Sequence, residues 1–345
     1  MRAAVHNRYG PPDVIRVADV DKPSIGDQDV LVRVHATTVN RTDCAYRAAS
    51  PFFIRILTGL ARPRRTVLGT EYAGVVDAVG GGVTAFKAGD RVFGYNEGRF
   101  GTHAEYLSVP HDGAIATMPD GVTFEEAAPG TEGSHYALAF VNKAGIQPGQ
   151  DVLVYGATGA IGSAAVQLLK HRGATVTAVC DGVHQELVRG LGADRVVDHT
   201  AQDFTRDEQS YDAVFDAVGK STFGHCKRLL KPGGVYLSSD LGPWCQNLLL
   251  PLVTPLFRGR KVKFSLPEAG PTDGAVFPGP DGGGRIPSGH RPTLSTGADR
   301  RRPSVCRDGA EDRQCRHHCR TAELIKPFVR RRRLPRPGPQ RHTAP

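Results

Sequence analysis

The sequence predicts a mixed α/β chain built from two unlike units, and three observations carry that expectation. Short alternating apolar runs are parted by Gly and Pro turns as far as about residue 124. The apolar spacing then changes to helical period, and at residues 151–163 a strand runs straight into a glycine-rich turn. A compact, turn-rich β unit is therefore expected at 1–125 and a doubly wound parallel sheet at 126–268.

In the first unit, residues 29–35, 71–77, 90–94 and 103–109 read as strands. In the second, 125–140 reads as one helix and 147–149 as a turn. Strand-like runs at 151–155, 175–180, 195–197, 211–216 and 234–238 then alternate with helical runs at 163–171, 187–191 and 223–230. Strands alternating with helices imply parallel pairing. The apolar run 248–257 is short and broken by Pro251 and Pro255, so it reads as an interface or core segment rather than a membrane span.

The turn carries the chemistry. Val152, Leu153 and Val154 supply a strand covered on both faces, while Gly156, Gly159 and Gly162 let the backbone approach a ligand that a Cβ would push away. Ala160 and Ile161 stand at the helix start, where backbone N–H groups face an anion. A lone glycine triplet is weak, but the strand at 175–180 closes a βαβ unit and Asp181 ends it. A dinucleotide is the expected ligand.

The net charge of +9 invites a nucleic-acid partner until it is located. Residues 1–268 hold 28 Lys and Arg against 28 Asp and Glu, whereas 269–345 hold 16 against 7. The whole excess lies in the last segment, so no nucleic-acid role is expected of the two units. The seven cysteines at irregular spacings read as reduced thiols. With no secretory pattern at residue 1 and no spanning run, a cytoplasmic location is expected.

The motifs Val39-Asn-Arg-Thr-Asp43, Gly69-Thr-Glu-Tyr-Ala-Gly74, Gly89-Asp-Arg-Val-Phe-Gly94, the turn from Gly149 through Gly162, Leu191-Gly-Ala-Asp194, Phe215-Asp-Ala-Val-Gly219 and Leu230-Lys-Pro-Gly-Gly234 follow one another in order. The succession resembles the medium-chain dehydrogenase/reductase superfamily, in its zinc-free quinone oxidoreductase branch, over about residues 1–268. The resemblance implies a GroES-like catalytic domain followed by a Rossmann domain. It also implies hydride transfer from NAD(P)H to a quinone or an α,β-unsaturated carbonyl. Zinc-dependent members hold a metal with Cys and His, but here the corresponding positions are Asn40, Thr70 and about Thr131, so no zinc is expected. Cys44 and His35 lie close in sequence, yet a lone Cys or His is more often buried or solvated than a ligand.

Candidates for the nicotinamide site are Asn40 and Thr131, implied by the resemblance, with Asp43 and Tyr46 beside them. Asp43 has an alternative role as a loop anchor and Tyr46 as a packing residue. For the cofactor the candidates are Gly156, Gly159, Ala160, Ile161, Gly162, Asp181, His184, Val218, Gly219 and Ser238. Asp181 would favour NADH by repelling a 2′-phosphate. The family branch favours NADPH, which is the expectation taken, with NADH left open. A homodimer through the Rossmann domain is also compatible with the resemblance.

Residues 269–345 contain fifteen Arg, one Lys and no Tyr, a composition expected to be disordered. The genetic code suggests a reason. Back-translated and read one nucleotide later, residues 310–318 permit Gln-Lys-Thr-Gly-Asn-Val-Val-Ile, a closing strand of the kind this family ends on. Residues 281–292 permit the segment before it, so the tail is read as a shifted frame starting between about 266 and 275. Its Cys315 to Cys319 cluster and its Arg330 to Arg333 run are then by-products. The alternative function is an inactive, partly folded nucleotide-binding product of a disrupted reductase gene.

Overall fold

The computed structural model describes residues 1–96, 98–256 and 259–265. The expectations for the tail, including the shifted frame and the disorder, lie outside these residues.

The first unit opens with the antiparallel pair β1 (Arg2–His6) and β2 (Ile15–Asp19). It continues through β3 (Asp29–Thr37), α1 (Arg41–Ala48), α2 (Ile54–Thr58), β4 (Glu71–Val79), β5 (Arg91–Tyr95), β6 (Tyr106–Pro110) and β7 (Ile115–Thr117). Strands β3 to β7 form an antiparallel sheet in the order β6-β3-β4-β5-β7. Val30, Val32, Tyr72, Val76, Val92 and Leu107 meet in its core, placed there by the two-residue side-chain period of their strands. The strand expected from residue 103 begins only at Tyr106, because the backbone just before it is bonded elsewhere: Ala4 N donates to His103 O, Glu105 N to Arg2 O and His103 N to Leu68 O.

The expected helix at 125–140 is in fact three pieces. Helix α3 (Phe124–Ala127) is started by a Thr123 and Glu126 capping box, a 3-10 turn spans Ala128–Gly130, and α4 (Glu132–Ala144) follows. Pro129 has no N–H to give and its ring clashes with a continuing helix, so the chain breaks there. Ala127 and Ala128 pack in a cluster with Ala36, Ala73, Phe93 and Met118, whereas Ala137, Phe140 and Val141 pack against the second sheet. The break at Gly130–Thr131 is where the chain crosses from one core to the other.

The second unit comprises β8 (Asp151–Tyr155), α5 (Ala160–His171), β9 (Thr175–Cys180), α6 (Gln185–Gly190), β10 (Arg195–Asp198), β11 (Tyr211–Asp216), α7 (Phe223–Cys226), β12 (Leu230–Ser238), α8 (Gln246–Val253) and β13 (Lys261–Val262). Its six strands are parallel, in the order β10-β9-β8-β11-β12-β13. This is a Rossmann-like sheet beside a GroES-like one. The strand order reverses between β8 and β11, and ligands bind at the carboxyl ends of strands at such a reversal. Helix α5 starts three residues before the expected Ser163, with Gly159 as its extended N-cap and Ser163 N donating to Gly159 O at 2.8 Å. The expected helix at 223–230 stops at Cys226, and a 3-10 turn leads into β12 at Leu230. In α8, Leu249 and Leu252 are exposed while Leu250 packs against the core of the second sheet and Thr254, just after the helix, is buried, so the segment is divided between surface and core. Among the described residues, no helix is long and apolar enough to cross a membrane.

Candidate active site

Where β3 ends, Asn40 caps α1. Its Oδ1 accepts from Asp43 N at 2.9 Å, and its own N–H donates to Asp43 Oδ2 at 3.1 Å. That exchange fixes which end of the amide is oxygen, so both Nδ2 hydrogens point away from the helix. One donates to Thr70 Oγ1 at 2.6 Å and the other to Glu132 Oε2 at the start of α4. Thr42 Oγ1 donates to Glu132 Oε1 at 2.6 Å. Asn40, Thr42 and Thr70 thus tie the first unit to the first residue of the helix that packs on the second.

Beneath this junction, Glu71 is buried. Its carboxylate accepts from Thr131 Oγ1 at 3.0 Å, from Glu132 N at 2.7 Å and from Thr38 Oγ1. Burial pushes the Glu71 carboxyl above the usual range, and these hydrogen bonds only partly pull it back.

Two of the four nicotinamide-site candidates, Asn40 and Thr131, meet in this cluster, but neither offers an idle donor. Asn40 spends its amide hydrogens on Thr70 and Glu132, and the fully buried Thr131 is bonded to Glu71. Asp43 is an anchor: it is buried, accepts from Gly69 N at 2.9 Å, and lies 3.6 Å from His103 Nε2. Tyr46 packs on Phe100, with ring centroids 4.6 Å apart. Glu71 and Glu132 were not expected from the sequence. Glu71 lies inside the quoted 69–74 motif and Glu132 follows Thr131, so an acid embedded in apolar sequence was the available signal. Among the described residues, no three His, Cys, Asp or Glu side chains are grouped to hold a metal.

The glycine turn separates protein requirements from ligand requirements. Gly156 has φ +83°, and a Cβ there would stand 2.4 Å from Val218 Cγ1. A Cβ at Gly162 would stand 2.1 Å from Gly156 O. Both must be glycine for the turn to close. At Gly159 the nearest atom to an added Cβ is Gly156 O at 3.5 Å, an ordinary contact. The space in front of Gly159 and the free N–H groups of the first turn of α5 fit a pyrophosphate.

Around this turn the other cofactor candidates gather at the strand ends. Asp216, fully buried, accepts from Gly219 N at 2.8 Å and Ser221 N at 2.9 Å, which shapes the loop carrying Val218 and Gly219. Ser238 ends β12. Asp181 Oδ1 pairs with His184 Nδ1 just after β9. Arg41 Nη1 reaches Val218 O at 3.5 Å, from the first unit to the second. An open cavity of about 380 Å3 adjoins β8 and β10, where the Tyr155 ring packs on Phe204 at 4.5 Å and meets His199 at 6.3 Å. Neither Arg41 nor this cavity was expected from the sequence.

Comparison with known proteins gives this geometry its relatives. Residues 26–120 match the alcohol dehydrogenase GroES-like domain, and residues 160–266 match the zinc-binding dehydrogenase family model. The chain is 30% identical over 290 residues to a 2-methylene-furan-3-one reductase of Solanum lycopersicum, covering 79% of this chain and 72% of that protein. It is 32% identical over 244 residues to a chloroplastic NADPH-dependent alkenal/one oxidoreductase of Arabidopsis thaliana, covering 68% of this chain and 61% of the other. Among solved structures, a quinone oxidoreductase of Coxiella burnetii superposes with TM-score 0.70 at 25% identity, over 79% of this chain and 84% of that one. A mycobacterial protein in complex with NADPH superposes with TM-score 0.62 at 26% identity, over 77% and 82%. The chain is an NAD(P)H-dependent oxidoreductase and belongs to the medium-chain dehydrogenase/reductase superfamily, in its quinone oxidoreductase branch.

Proposed function

We propose that this oxidoreductase works without zinc and reduces a quinone or an α,β-unsaturated carbonyl with NADPH. The observation that carries the reading is the Asn40 amide, which presents N–H groups to Thr70 and Glu132 where a metal would need lone pairs. Bound NADPH supplies the hydride. An acceptor of this class is already polarised, so the anion left by hydride arrival is delocalised and requires a proton rather than a Lewis acid. Glu132, held by Asn40 and Thr42, is our candidate for taking up a solvent proton and passing it on. Asn40 and Thr131 then act as positioning residues, with Glu71 fixing Thr131 and the start of α4.

The cofactor is proposed to lie with its pyrophosphate before Gly159 and its adenosine end near Asp181, His184 and the Tyr155 cavity. NADPH rather than NADH is supported by the names of the Arabidopsis relative and the mycobacterial complex. A homodimer through the second unit is supported by the exposed Leu249 and Leu252 of α8, and sedimentation would test it.

The acceptor class has a direct test. NADPH deuterated at the transferred position, given an alkenal in a single turnover, should leave deuterium on the β-carbon. Deuterium on the carbonyl carbon would make the protein an alcohol dehydrogenase instead.

A further inference from the structure

Immediately after α1 the chain presents an apolar face to solvent. Phe52 is 71% exposed, Phe53 47%, Ile56 66% and Leu60 69%. The backbone is helical from Pro51, with Ile54, Arg55 and Ile56 N–H groups bonded to the carbonyls three residues earlier. Phe52 and Ile56 at i,i+4, and Phe53 and Ile56 at i,i+3, therefore share one side. The segment is braced from behind: Tyr9 Oη donates to Gly59 O at 2.7 Å, and the Arg55 guanidinium lies 4.9 Å from the Tyr9 ring centroid. A braced apolar face of this kind marks an interaction surface.

Its charge says with what. Between Cys44 and Thr70 the sequence has five Arg and no Lys, Asp or Glu. Arg62, Arg64 and Arg65 are exposed, and Arg65 is tied to the carbonyl of Arg99, itself exposed. We propose that residues 52–65 dock the protein on an anionic lipid bilayer, with Phe52, Phe53, Ile56 and Leu60 entering the acyl boundary and the arginines meeting the headgroups. A second copy suits the face poorly, because a two-fold contact would set Arg62, Arg64 and Arg65 against themselves. Nucleic acid suits it poorly too, since Ile56 and Leu60 have no ring to stack on bases. Helix α1, eight residues or roughly 12 Å long, runs from Asn40 to this face, so a docked molecule would hold its active site one short helix from the membrane. The inference does not depend on which acceptor is reduced.

The test is sedimentation of the full 345-residue chain with phosphatidylglycerol-containing vesicles and with pure phosphatidylcholine vesicles. Binding is expected only to the former and should weaken on adding salt. The Phe53→Ser, Ile56→Ser, Leu60→Ser triple variant and the Arg62→Gln, Arg64→Gln, Arg65→Gln triple variant should each bind more than tenfold more weakly, with unchanged melting temperature and NADPH oxidation. The fifteen arginines of 269–345 are common to all versions, so undiminished binding by the variants would assign adhesion to other sequence and overturn the proposal. Patch-dependent self-association without lipid would also overturn it. Should the serine variant fail to fold, Phe53→Trp in a Trp244→Phe background gives a second reading. Brominated lipids are expected to quench its fluorescence, and absence of quenching would contradict docking.

Discussion

The Asn40 amide donates to Glu132 Oε2 across the seam between the two units, and Asp43 N, 2.9 Å from Asn40 Oδ1, keeps the amide from turning over. A neutral donor therefore faces a carboxylate across that seam.

Asn40→Asp would set a second carboxylate against Glu132. Two facing carboxylates share a raised folded pKa, so their contribution is favourable at low pH and is lost as pH rises. The variant should lose roughly 1–3 kcal/mol of stability at pH 8 relative to wild type and recover much of it at pH 5. Thermal melts at the two values check this, and a loss independent of pH would refute the contact.

Glu71 carries the same sign for a different reason. Burial raises its folded pKa above the ordinary 4.5, so its unfolded form ionises first and stability falls as pH rises from about that value. Glu71→Gln keeps an acceptor for Thr131 and offers a donor to Thr38 while removing the ionisation. Its melting temperature should decline less than that of wild type between pH 4.5 and 8. Parallel curves would show that Glu71 ionises freely in the fold.

Gly159→Val and Gly162→Val should fail differently. The first meets open space in the protein and should fold, yet weaken NADPH binding by about a hundredfold, roughly 3 kcal/mol. The second drives a side chain into Gly156 O and should lower the melting temperature itself. Titration and melting of both variants separate the roles; unchanged affinity in the folded first variant would remove the pyrophosphate from that turn.

Much of this was legible in the sequence wherever a local pattern controls the chain. The turn at 156–162 follows from three glycines after an apolar strand, and the strand Tyr211–Asp216 matches its expected limits. Element ends were less legible: Pro129 split one expected helix, and α5 began early because Gly159, Ala160 and Gly162 carry no apolar period. The Glu71 and Glu132 pair was invisible because its partners lie 61 positions apart and only folding brings them together. The packing alternative for Tyr46 has a visible partner in Phe100, which lies 54 positions away and which no local pattern could have named.

At the adenosine end, Asp181→Ser should raise affinity for NADPH relative to NADH about tenfold by removing a charge that repels a 2′-phosphate. Because Asp181 pairs with His184, Asp181→Asn is the companion that keeps a polar group there. Cofactor titrations check both, and an unchanged ratio would place Asp181 outside the site.

Hydride transfer in this protein is proposed to need no metal. Elemental analysis and NADPH oxidation with a quinone and an enone, measured on one preparation before and after dialysis against a strong chelator, test it most directly. The expected result is turnover without stoichiometric zinc and no loss of rate after chelation. One tightly held zinc per chain, with activity lost on its removal and restored on its return, would contradict the metal-free roles of Asn40, Thr70 and Glu132.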